Sequence, residues 1–513
     1  MKILLAYQSG EPHRSDPFIS LVPTGLCYLH ACLQEARYDS VLANFSAWPI
    51  SRITQELLSR SPDIVGISQW THNRHHSLEL ARLCRNILPD CIIVMGGGHA
   101  TFCYEDLLSD SSPVDAVILG EAESTLLEFV ALHSSRSDWQ NIRGLAFRQN
   151  GMTVVTPPRD NLDNLDLLPI PARYLDRSIG LDLELQSEFI VTTRGCPSTC
   201  HFCSSPDFWG RKVRFRSPAA IVEEIKYIRQ KFGTIYFSIR DDTFTADRTR
   251  VMEFCSLLQQ QNINILWNCQ SRVTAIDEEL TVEMKRAGCE CIQLGVESGS
   301  PEILHKLGKK ITVSQIELAC ARIREIGINL SIYLISNVPG ETGEDIRRTI
   351  ELIRKIRPDD GYVSPLAYFP GTTLFKDALS AGRVTQSIFA DRDVTALYAG
   401  SERENSSSRL LGELSRNHQD DPERFTRQKT RLGYCFTTNV IAAEWFRQRG
   451  EYGKADKELR EITTEQPDNP WGWFLRGDLY SGTGRITKGN ECYARVLEIV
   501  PGHGPSRAAI QRR

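Results

Sequence analysis

The feature that most constrains the fold is an alternation of short β-branched runs with amphipathic helical stretches, which occurs twice along the chain. The strand-like runs of the first set lie at residues 3–7, 40–44, 64–68, 92–95 and 116–119. Five strands joined by helical crossovers predict an α/β fold with a doubly wound parallel sheet of the Rossmann or flavodoxin type. Such sheets bind ligands in the crevice at the carboxyl ends of their strands.

The second set predicts a partial barrel. Its six strand-like runs lie at residues 189–193, 235–239, 265–269, 291–295, 328–335 and 361–364, and each is followed by a helical pattern. A six-unit assembly of this kind is a partial TIM-type (β/α)6 barrel, whose catalytic residues come from the strand ends and the loops after them. Between the two sets, Asn150-Gly151 predicts a hairpin with a type I′ turn, and residues 156–171 are typical of a linker.

The carboxyl-terminal part of the chain loses this alternation from about residue 383 to 429, and residues 401–408 (SERENSSS) are typical of a mobile surface segment. A helical tail follows in which Gly450 and Gly484 are 34 residues apart, the tetratricopeptide period. Two repeats are fewer than an independent solenoid needs, so we expect the tail to pack on the barrel, as a plain helical cap or as a docking surface for a protein partner. Trp445, Trp471 and Trp473 either grip a substrate or fill the core of the tail.

The composition narrows the class of protein. The 513 residues carry a formal net charge of −4, which gives no basic excess for binding nucleic acid. The apolar runs are too short for a transmembrane segment, and the first is too short for a signal peptide. We therefore expect a cytoplasmic protein, in which the fifteen cysteines are buried apolar residues or metal ligands and form no disulfide framework.

The strongest motif is the segment 194–203, RGCPSTCHFC, directly after the first predicted barrel strand. Cys196, Cys200 and Cys203 have Cys-x3-Cys-x2-Cys spacing, and three thiolates on one loop suit three irons of a 4Fe–4S cluster whose fourth iron stays open. The alternatives are a zinc knuckle and chance in a cysteine-rich chain. Structural zinc takes four ligands and His201 is too close to its neighbours for the usual finger spacing, and the position directly after a strand argues against chance.

This segment, with Phe202 before the third cysteine and a partial barrel around it, resembles the radical S-adenosylmethionine (radical SAM) superfamily. The resemblance implies that Cys196, Cys200 and Cys203 bind the cluster and that the open iron chelates S-adenosylmethionine. One-electron reduction by a donor such as flavodoxin or ferredoxin then yields a 5′-deoxyadenosyl radical that abstracts hydrogen. Phe202 matches the position whose backbone meets the adenine.

Other predicted strand ends match the family's S-adenosylmethionine site. Asp241 and Asp242 stand where the family has a Gly-Gly-Glu motif for the methionyl amine, although capping of the next helix explains them too. Glu297 and Ser298 lie in a Gly-x-Glu-Ser-Gly segment that resembles the one binding ribose and methionine. The segment 337–342 (NVPGET) resembles the adenine-side motif.

The predicted carboxyl edge of the first domain resembles the cobalamin-binding module of one branch of the superfamily. The candidate cobalamin ligands there are Ser68, Gln69, Thr71, Gly97, Gly98, His99 and Glu121. A tight turn explains the glycines equally well when they are taken alone, and a degenerate domain without corrinoid is the alternative. The Asp-x-His-x-x-Gly motif that ligates cobalt is absent, so we expect no histidine on cobalt, with Trp70 or Gln69 over its lower face.

The resemblance leads to three hypotheses. The first is a cobalamin-dependent methyltransferase acting on an unactivated carbon of a small-molecule, lipid or peptide substrate. The second is a cyclase, dehydratase or rearrangement enzyme, and the third is a redox- or iron-sensing binding protein that uses its tail. The predicted divisions are a cobalamin-binding domain (1–140), a hairpin and linker (141–182), a radical SAM core (183–382), a partly mobile linker (383–430) and a tetratricopeptide-like tail (431–513).

Overall fold

The computed structural model describes residues 1–10, 18–400, 406–416 and 421–511, which divide into two compact units. Unit 1 comprises Met1–Gln186, Arg194–Phe215 and Ala367–Ala399. Unit 2 comprises Ser187–Thr193, Arg216–Leu366 and Gly400–Arg513. The cysteine segment therefore belongs to unit 1, although the strand before it in the chain belongs to unit 2.

The strands of the described residues are β1 (Lys2–Tyr7), β2 (Asp39–Asn44), β3 (Ile64–Ser68), β4 (Ile92–Gly96), β5 (Ala116–Ile118), β6 (Leu145–Gln149), β7 (Met152–Val155), β8 (Ser178–Ile179), β9 (Phe189–Ile190), β10 (Thr193–Arg194), β11 (Arg214–Phe215), β12 (Tyr236–Ile239), β13 (Leu266–Ser271), β14 (Cys289–Glu297), β15 (Asn329–Ser336) and β16 (Asp360–Pro365).

The α-helices are α1 (Thr24–Glu35), α2 (Ile50–Arg60), α3 (Arg74–Ile87), α4 (Gly98–Phe102), α5 (Tyr104–Leu107), α6 (Glu123–Ala131), α7 (Leu183–Ser187), α8 (Ser205–Trp209), α9 (Pro218–Phe232), α10 (Arg248–Gln260), α11 (Glu278–Arg286), α12 (Pro301–Lys306), α13 (Val313–Ile326), α14 (Gly343–Ile356), α15 (Thr373–Ser380), α16 (Ser406–Leu414), α17 (Glu423–Leu432), α18 (Phe436–Gln448), α19 (Tyr452–Glu465), α20 (Pro470–Gly482), α21 (Ile486–Ile499) and α22 (Gly504–Gln511).

The first sheet lies in unit 1 and has the strand order β7-β6-β5-β4-β3-β1-β2-β8. Strands β1 to β5 pair in parallel, which confirms the predicted doubly wound sheet. The hairpin β6–β7 extends this sheet by antiparallel pairing with β5. Its two turn residues, Asn150 (φ 51°) and Gly151 (φ 77°), both have positive φ, as the predicted type I′ turn requires.

The second sheet lies in unit 2 and has the order β9-β12-β13-β14-β15-β16, all parallel. Sequential parallel strands with helical crossovers confirm the predicted partial (β/α)6 barrel. One face packs on helices: Trp267 of β13 lies 5.6 Å from Phe254 of α10, ring centroid to ring centroid. Because side chains alternate along a strand, the neighbours of Trp267 point to the opposite face.

The tail packs on the amino ends of the barrel strands, as expected. Ile235 and Leu266, at the start of β12 and β13, share one apolar cluster with Trp445 and Trp471 of the tail. The two tryptophans are more than nine-tenths buried, so they fill a core and are not exposed for gripping a substrate. The 34-residue period is visible in the helices, since α19 and α21 begin at Tyr452 and Ile486.

The region from 383 to 429 differs from its expected loss of regular structure. Of the predicted surface segment 401–408, residues 401–405 lie outside the described residues, and Ser406 begins α16 with its side chain buried. The helices α16 and α17 form because tertiary contacts stabilise them. Leu414 of α16 would touch a Cβ at Gly361, and Phe425 of α17 joins the apolar cluster of the tail.

Two expected absences concern membranes and disulfides. Within the described ranges, no helix combines the length and apolar character needed to cross a bilayer. No disulfide joins the cysteines of the described residues.

Candidate functional site

The carboxyl edge of the first sheet is built by close backbone packing around two glycines. A Cβ at Gly97, whose φ is +106°, would lie 2.6 Å from the carbonyl oxygen of Gln69. A Cβ at Gly98 would lie 3.0 Å from the ring of Trp70. The ends of β3 and β4 are also joined by backbone hydrogen bonds from Gln69 to Gly96 and from His99 to Gln69. Only glycine therefore fits position 97.

Most side chains predicted to bind cobalamin at this edge are buried and bonded within it. The Gln69 amide donates to the Arg74 carbonyl at 3.1 Å and to Ser77 Oγ at 3.0 Å. Thr71 Oγ1 lies 3.2 Å from His99 Nδ1. Burial, aided by Arg74, lowers the pKa of His99 to about 3, so its imidazole is neutral at pH 7. Ser68 is also buried, and these side chains consolidate the edge.

Two side chains of this edge, Gln69 and Trp70, each hold a buried polar atom that has no partner among the described residues. The Trp70 indole is half-buried, yet its Nε1–H is closed to solvent and finds no hydrogen-bond acceptor in the described part of the chain. Its ring centroid lies 6.3 Å from that of Phe208, in the helix that follows the cysteine segment. Buried donors in folded proteins almost always have an acceptor. The Trp70 N–H therefore indicates that a ligand with an acceptor atom binds at the edge formed by Gly97 and Gly98, which we call the glycine edge.

The cysteine segment is a closed loop in unit 1. Gly195 (φ +99°) packs so tightly that a Cβ there would lie 2.5 Å from the Lys212 carbonyl oxygen. The Cys196 N–H donates to Gly210 O at 3.3 Å, which draws the two ends of the loop together. Cys196 is buried, and Cys200, Phe202 and Cys203 are half-buried.

Two arginines that flank this loop share one carboxylate. Arg194, before the first cysteine, and Arg214, after the third, each bind a different oxygen of Glu121. Arg194 also pairs with Glu123, and although burial lowers its pKa, Glu123 and Glu121 raise it overall. All four side chains are at least 88% buried. Glu121, predicted as a cobalamin ligand, thus holds the cysteine loop against the end of β5.

In unit 2, Asp241 follows β12 and is fully buried. Its carboxylate accepts hydrogen bonds from the Thr192 and Thr193 N–H groups at 2.6 and 2.9 Å and from the Thr192 hydroxyl. Burial raises its pKa. It does not cap α10, because Asp247 does so through the Arg250 N–H. Asp242 is the exposed carboxylate of the pair.

Glu297 ends β14 in a strained conformation. Its φ is +65°, its residue is 7% exposed, and its Oε1 lies 2.9 Å from Lys309 Nζ. Lys309 also donates to the Gly295 carbonyl at 2.9 Å, and a Cβ at Gly295 would collide with both side chains. Left-handed non-glycine residues are costly and cluster at functional sites.

The next strand end repeats this geometry. Asn337, directly after β15, has φ +58° and a buried Nδ2 without an acceptor among the described residues. Ser298, which is predicted to bind S-adenosylmethionine, has a buried hydroxyl that lies 3.1 Å from Thr349 Oγ1 of α14. Lys309 and Arg214 carry no motif, so the sequence did not single them out.

Comparison with known proteins decides the family. The chain matches the Radical SAM superfamily over residues 190–353 and the B12 binding domain over residues 20–130. It is 31% identical over 367 residues to an uncharacterized methyltransferase of Pyrococcus horikoshii, covering 70% of this chain and 78% of that protein. The chain belongs to the radical SAM superfamily, in the branch with a B12-binding domain.

One further curated relative and one solved structure extend the comparison. This chain is 27% identical over 388 residues to the anaerobic magnesium-protoporphyrin IX monomethyl ester cyclase of Rubrivivax gelatinosus. The match covers 74% of this chain and 70% of the cyclase. The fold of this chain matches the cobalamin-dependent S-adenosylmethionine radical enzyme OxsB with a TM-score of 0.65 at 15% identity, over 100% of this chain and 80% of that one.

The cofactors of this radical SAM enzyme are a 4Fe–4S cluster, S-adenosylmethionine and cobalamin. Among the described residues, no three His, Cys, Asp or Glu side chains converge on a point for one metal ion. A cluster binds each thiolate at a different iron, so three thiols on one closed loop fit it. The orphaned Trp70 Nε1 and the glycine edge fit a large cofactor that approaches the backbone closely.

Proposed function

We propose that this radical SAM enzyme is a cobalamin-dependent methyltransferase that methylates an unactivated carbon of a small-molecule, lipid or peptide substrate. The observation that carries the proposal is in unit 1, where Trp70 contacts both Gly98 of the glycine edge and Phe208 beside the cysteine loop. A corrinoid on that edge and a cluster on that loop would be neighbours. The methyltransferase relative that covers 70% of the chain adds support.

The proposed ligands follow from the motifs and from the contacts in each unit. Cys196, Cys200 and Cys203 hold the cluster, and the backbone at Phe202 meets the adenine. Asp242 and Glu297 are the carboxylates that we assign to S-adenosylmethionine, because Asp241 is bonded to its own backbone neighbours. Ser298 supports that segment through Thr349.

The chain's own residues position and shield the cofactors. When bound, the cluster and S-adenosylmethionine supply hydrogen abstraction and cobalamin supplies the methyl group. Gly97 and Gly98 would admit the corrinoid to the backbone, and Trp70 would lie beside it. His99 is buried and neutral, and its Nδ1 is bonded to the Thr71 hydroxyl. The cluster would need an electron donor such as flavodoxin or ferredoxin to reduce it.

The domain limits that we propose remain 1–140 for cobalamin, 183–382 for the radical SAM core and 431–513 for the tail. The apolar cluster that joins the tail to Ile235 and Leu266 supports a capping role for the tail.

The first test is the cofactor content of protein purified without oxygen from cells supplied with cobalamin. We expect about four irons per chain, as a 4Fe–4S cluster requires, and one corrinoid. When the protein is incubated with methyl-labelled S-adenosylmethionine, a reductant and cell extract as the source of substrate, the label should enter a product. Because the methyl group is then bonded to carbon, base hydrolysis should not release it. Label found only in S-adenosylmethionine products would overturn methyl transfer.

A cyclase is the second candidate, because the Rubrivivax gelatinosus relative covers 74% of the chain. It predicts 5′-deoxyadenosine formation with a product that lacks the label. Iron without corrinoid would favour this second function and count against the first.

A further inference from the structure

The barrel of unit 2 has a polar concave face, which we call the lumen face. It consists of the side chains of β12 to β16 that point away from the helices. Trp267 packs on α10, so Asn268 points to the lumen face. Asn268 Oδ1 accepts a hydrogen bond from Ser238 at 2.9 Å, which places alternate residues of β12 on the same face.

The floor of this face, toward the amino ends of the strands, is a closed hydrogen-bond network. Tyr236 donates to Glu290 Oε1 at 2.7 Å, and Asn329 donates to Glu290 Oε2 at 3.1 Å. Asn268 Nδ2 donates to Tyr236 Oη at 2.7 Å. Since every partner in this network is satisfied, the floor rigidifies the face and offers no apolar surface to a ligand.

The upper part of the lumen face carries a stacked pair of tyrosines. Tyr333 of β15 and Tyr362 of β16 have ring centroids 5.3 Å apart and planes 20° apart. The Tyr333 hydroxyl donates to Gln293 Oε1 at 2.9 Å, which fixes the inner ring. Tyr362 is 50% exposed, so a third ring can stack on it.

Arg240 follows β12 on the same face, two residues after Ser238. Burial lowers the pKa of the Arg240 guanidinium, and the phenols of Tyr333, Tyr236 and Tyr362 on the same face raise it. In a flat sheet, β12 and β15 would be about 14 Å apart, so this interaction reflects the curvature of the barrel. The guanidinium lies 4.6 Å from the Phe189 ring centroid, and no carboxylate of the described residues pairs with it.

We propose that the lumen face binds the substrate as a planar aromatic molecule that carries a carboxylate or phosphate. The aromatic ring stacks on Tyr362, and the anionic group pairs with Arg240, whose planar fork binds such groups through two hydrogen bonds. This inference rests on the proposed function, since it names the substrate of that reaction. It disfavours a wholly apolar lipid, because seating one would bury Arg240 without a partner.

The test uses naphthalene fluorescence with the full-length holoenzyme. The probes are 1-naphthoate, 1-naphthyl phosphate and the neutral 1-naphthamide, each titrated with and without S-adenosylmethionine. We expect at least one anionic probe to bind at least tenfold more tightly than the amide. The two anionic probes distinguish a carboxylate from a phosphate substrate.

Three variants test whether Arg240 and Tyr362 bind the probes. Arg240→Gln should reduce anion binding at least tenfold, and Tyr362→Ala should weaken all three probes, whereas Tyr362→Phe keeps the stacking surface and the affinity. Arg347→Gln, which removes an exposed arginine of α14 paired with Glu344, is the matched control and should change nothing.

Several results would overturn the inference. Equal binding of amide and anions would remove the role of Arg240. Displacement of the anionic probe by S-adenosylmethionine would assign Arg240 to the cofactor. The same assignment would follow if S-adenosylmethionine no longer changed the electron paramagnetic resonance signal of the cluster in the Arg240→Gln protein. Tighter binding of decanol than of any naphthalene would indicate a lipid. Methyl transfer by the wild-type protein is measured in a separate experiment. A failure of the proposed function can therefore be told apart from a failure of the substrate inference.

Discussion

The two sheets end in opposite ways at their carboxyl edges. In unit 1, β3 and β4 end at glycines and at side chains bonded inward, such as Gln69 and Thr71. In unit 2, β14 and β15 end at Glu297 and Asn337, which hold polar side chains in left-handed conformations. Bare backbone admits a large cofactor, whereas fixed polar groups suit a smaller ligand. Two α/β sheets of one chain thus differ in the residues that follow their strands, which is where such sheets bind ligands.

The largest expected difference between the two units comes from substituting a cysteine of the unit 1 loop. The variant Cys200→Ala should lower the iron content from about four per chain to below one and abolish 5′-deoxyadenosine formation, because a cluster needs its thiolate ligands. Cys492→Ala, which removes a buried thiol in the tail, is the control and should retain iron. Iron measured equally in both variants would remove the cluster from this loop.

The next largest effect concerns the carboxylate that holds the cysteine loop. Glu121→Gln leaves Arg194 and Arg214 with one buried carboxylate between them, which should destabilise unit 1 by about 3–5 kcal/mol. Glu128→Gln removes a more exposed partner of Arg159 in the same unit and should cost less than about 1 kcal/mol. Chemical denaturation of the two proteins measures both values.

The double variant Glu121→Gln/Arg214→Gln separates positioning from stability. Stability should recover in part, since one unpaired charge is removed, while the cluster should still be lost faster to a chelator than in wild type. A full return of both properties would mean that Glu121 only balances charge.

A smaller effect tests the glycine edge. Gly97→Ala places a Cβ against the Gln69 carbonyl and should cost about 2–3 kcal/mol and lower the corrinoid content at least tenfold. Gly151→Ala is matched, because it also has positive φ but nothing within 4 Å of its Cβ. Normal corrinoid content in Gly97→Ala would exclude this edge as the cobalamin site.

The smallest expected effect is a difference between the two units in how much folding stability they lose at low pH. Burial lowers the pKa of His99 to about 3 and that of His30 to about 4, both in unit 1, whereas unit 2 has His503 at about 4. An unfolded histidine protonates below about pH 6.5, so stability present above that pH is lost as the pH falls toward these values. Each group should cost about 2 kcal/mol at pH 5.

Hydrogen exchange followed segment by segment at pH 7 and pH 5 measures this difference. Unit 1 should lose more protection than unit 2. Equal losses in both units would show that the histidines do not dominate acid sensitivity.

Much of the architecture follows from local sequence. All eleven strands predicted from short apolar runs are present, because such a run between turn and helix signals is a short-range property of a buried strand. The type I′ turn at Asn150-Gly151 follows from two residues that tolerate positive φ. The three cysteines were equally visible, since their spacing lies within one loop. The helices α16 and α17 were missed, because both are short and mostly polar, with few apolar residues to mark a buried face.

The partners of the site residues were decided by tertiary structure. Glu121 binds arginines 73 and 93 residues later, and Asp241 is bonded to backbone 49 residues earlier. Lys309 neutralises Glu297, and the barrel's curvature brings Arg240 within range of Tyr333 and Tyr362. The sequence alone determined the strands, the turn and the cysteine loop, because each depends on neighbouring residues. Charge pairing and the lumen face depend on which distant segments meet, so only the folded chain decided them.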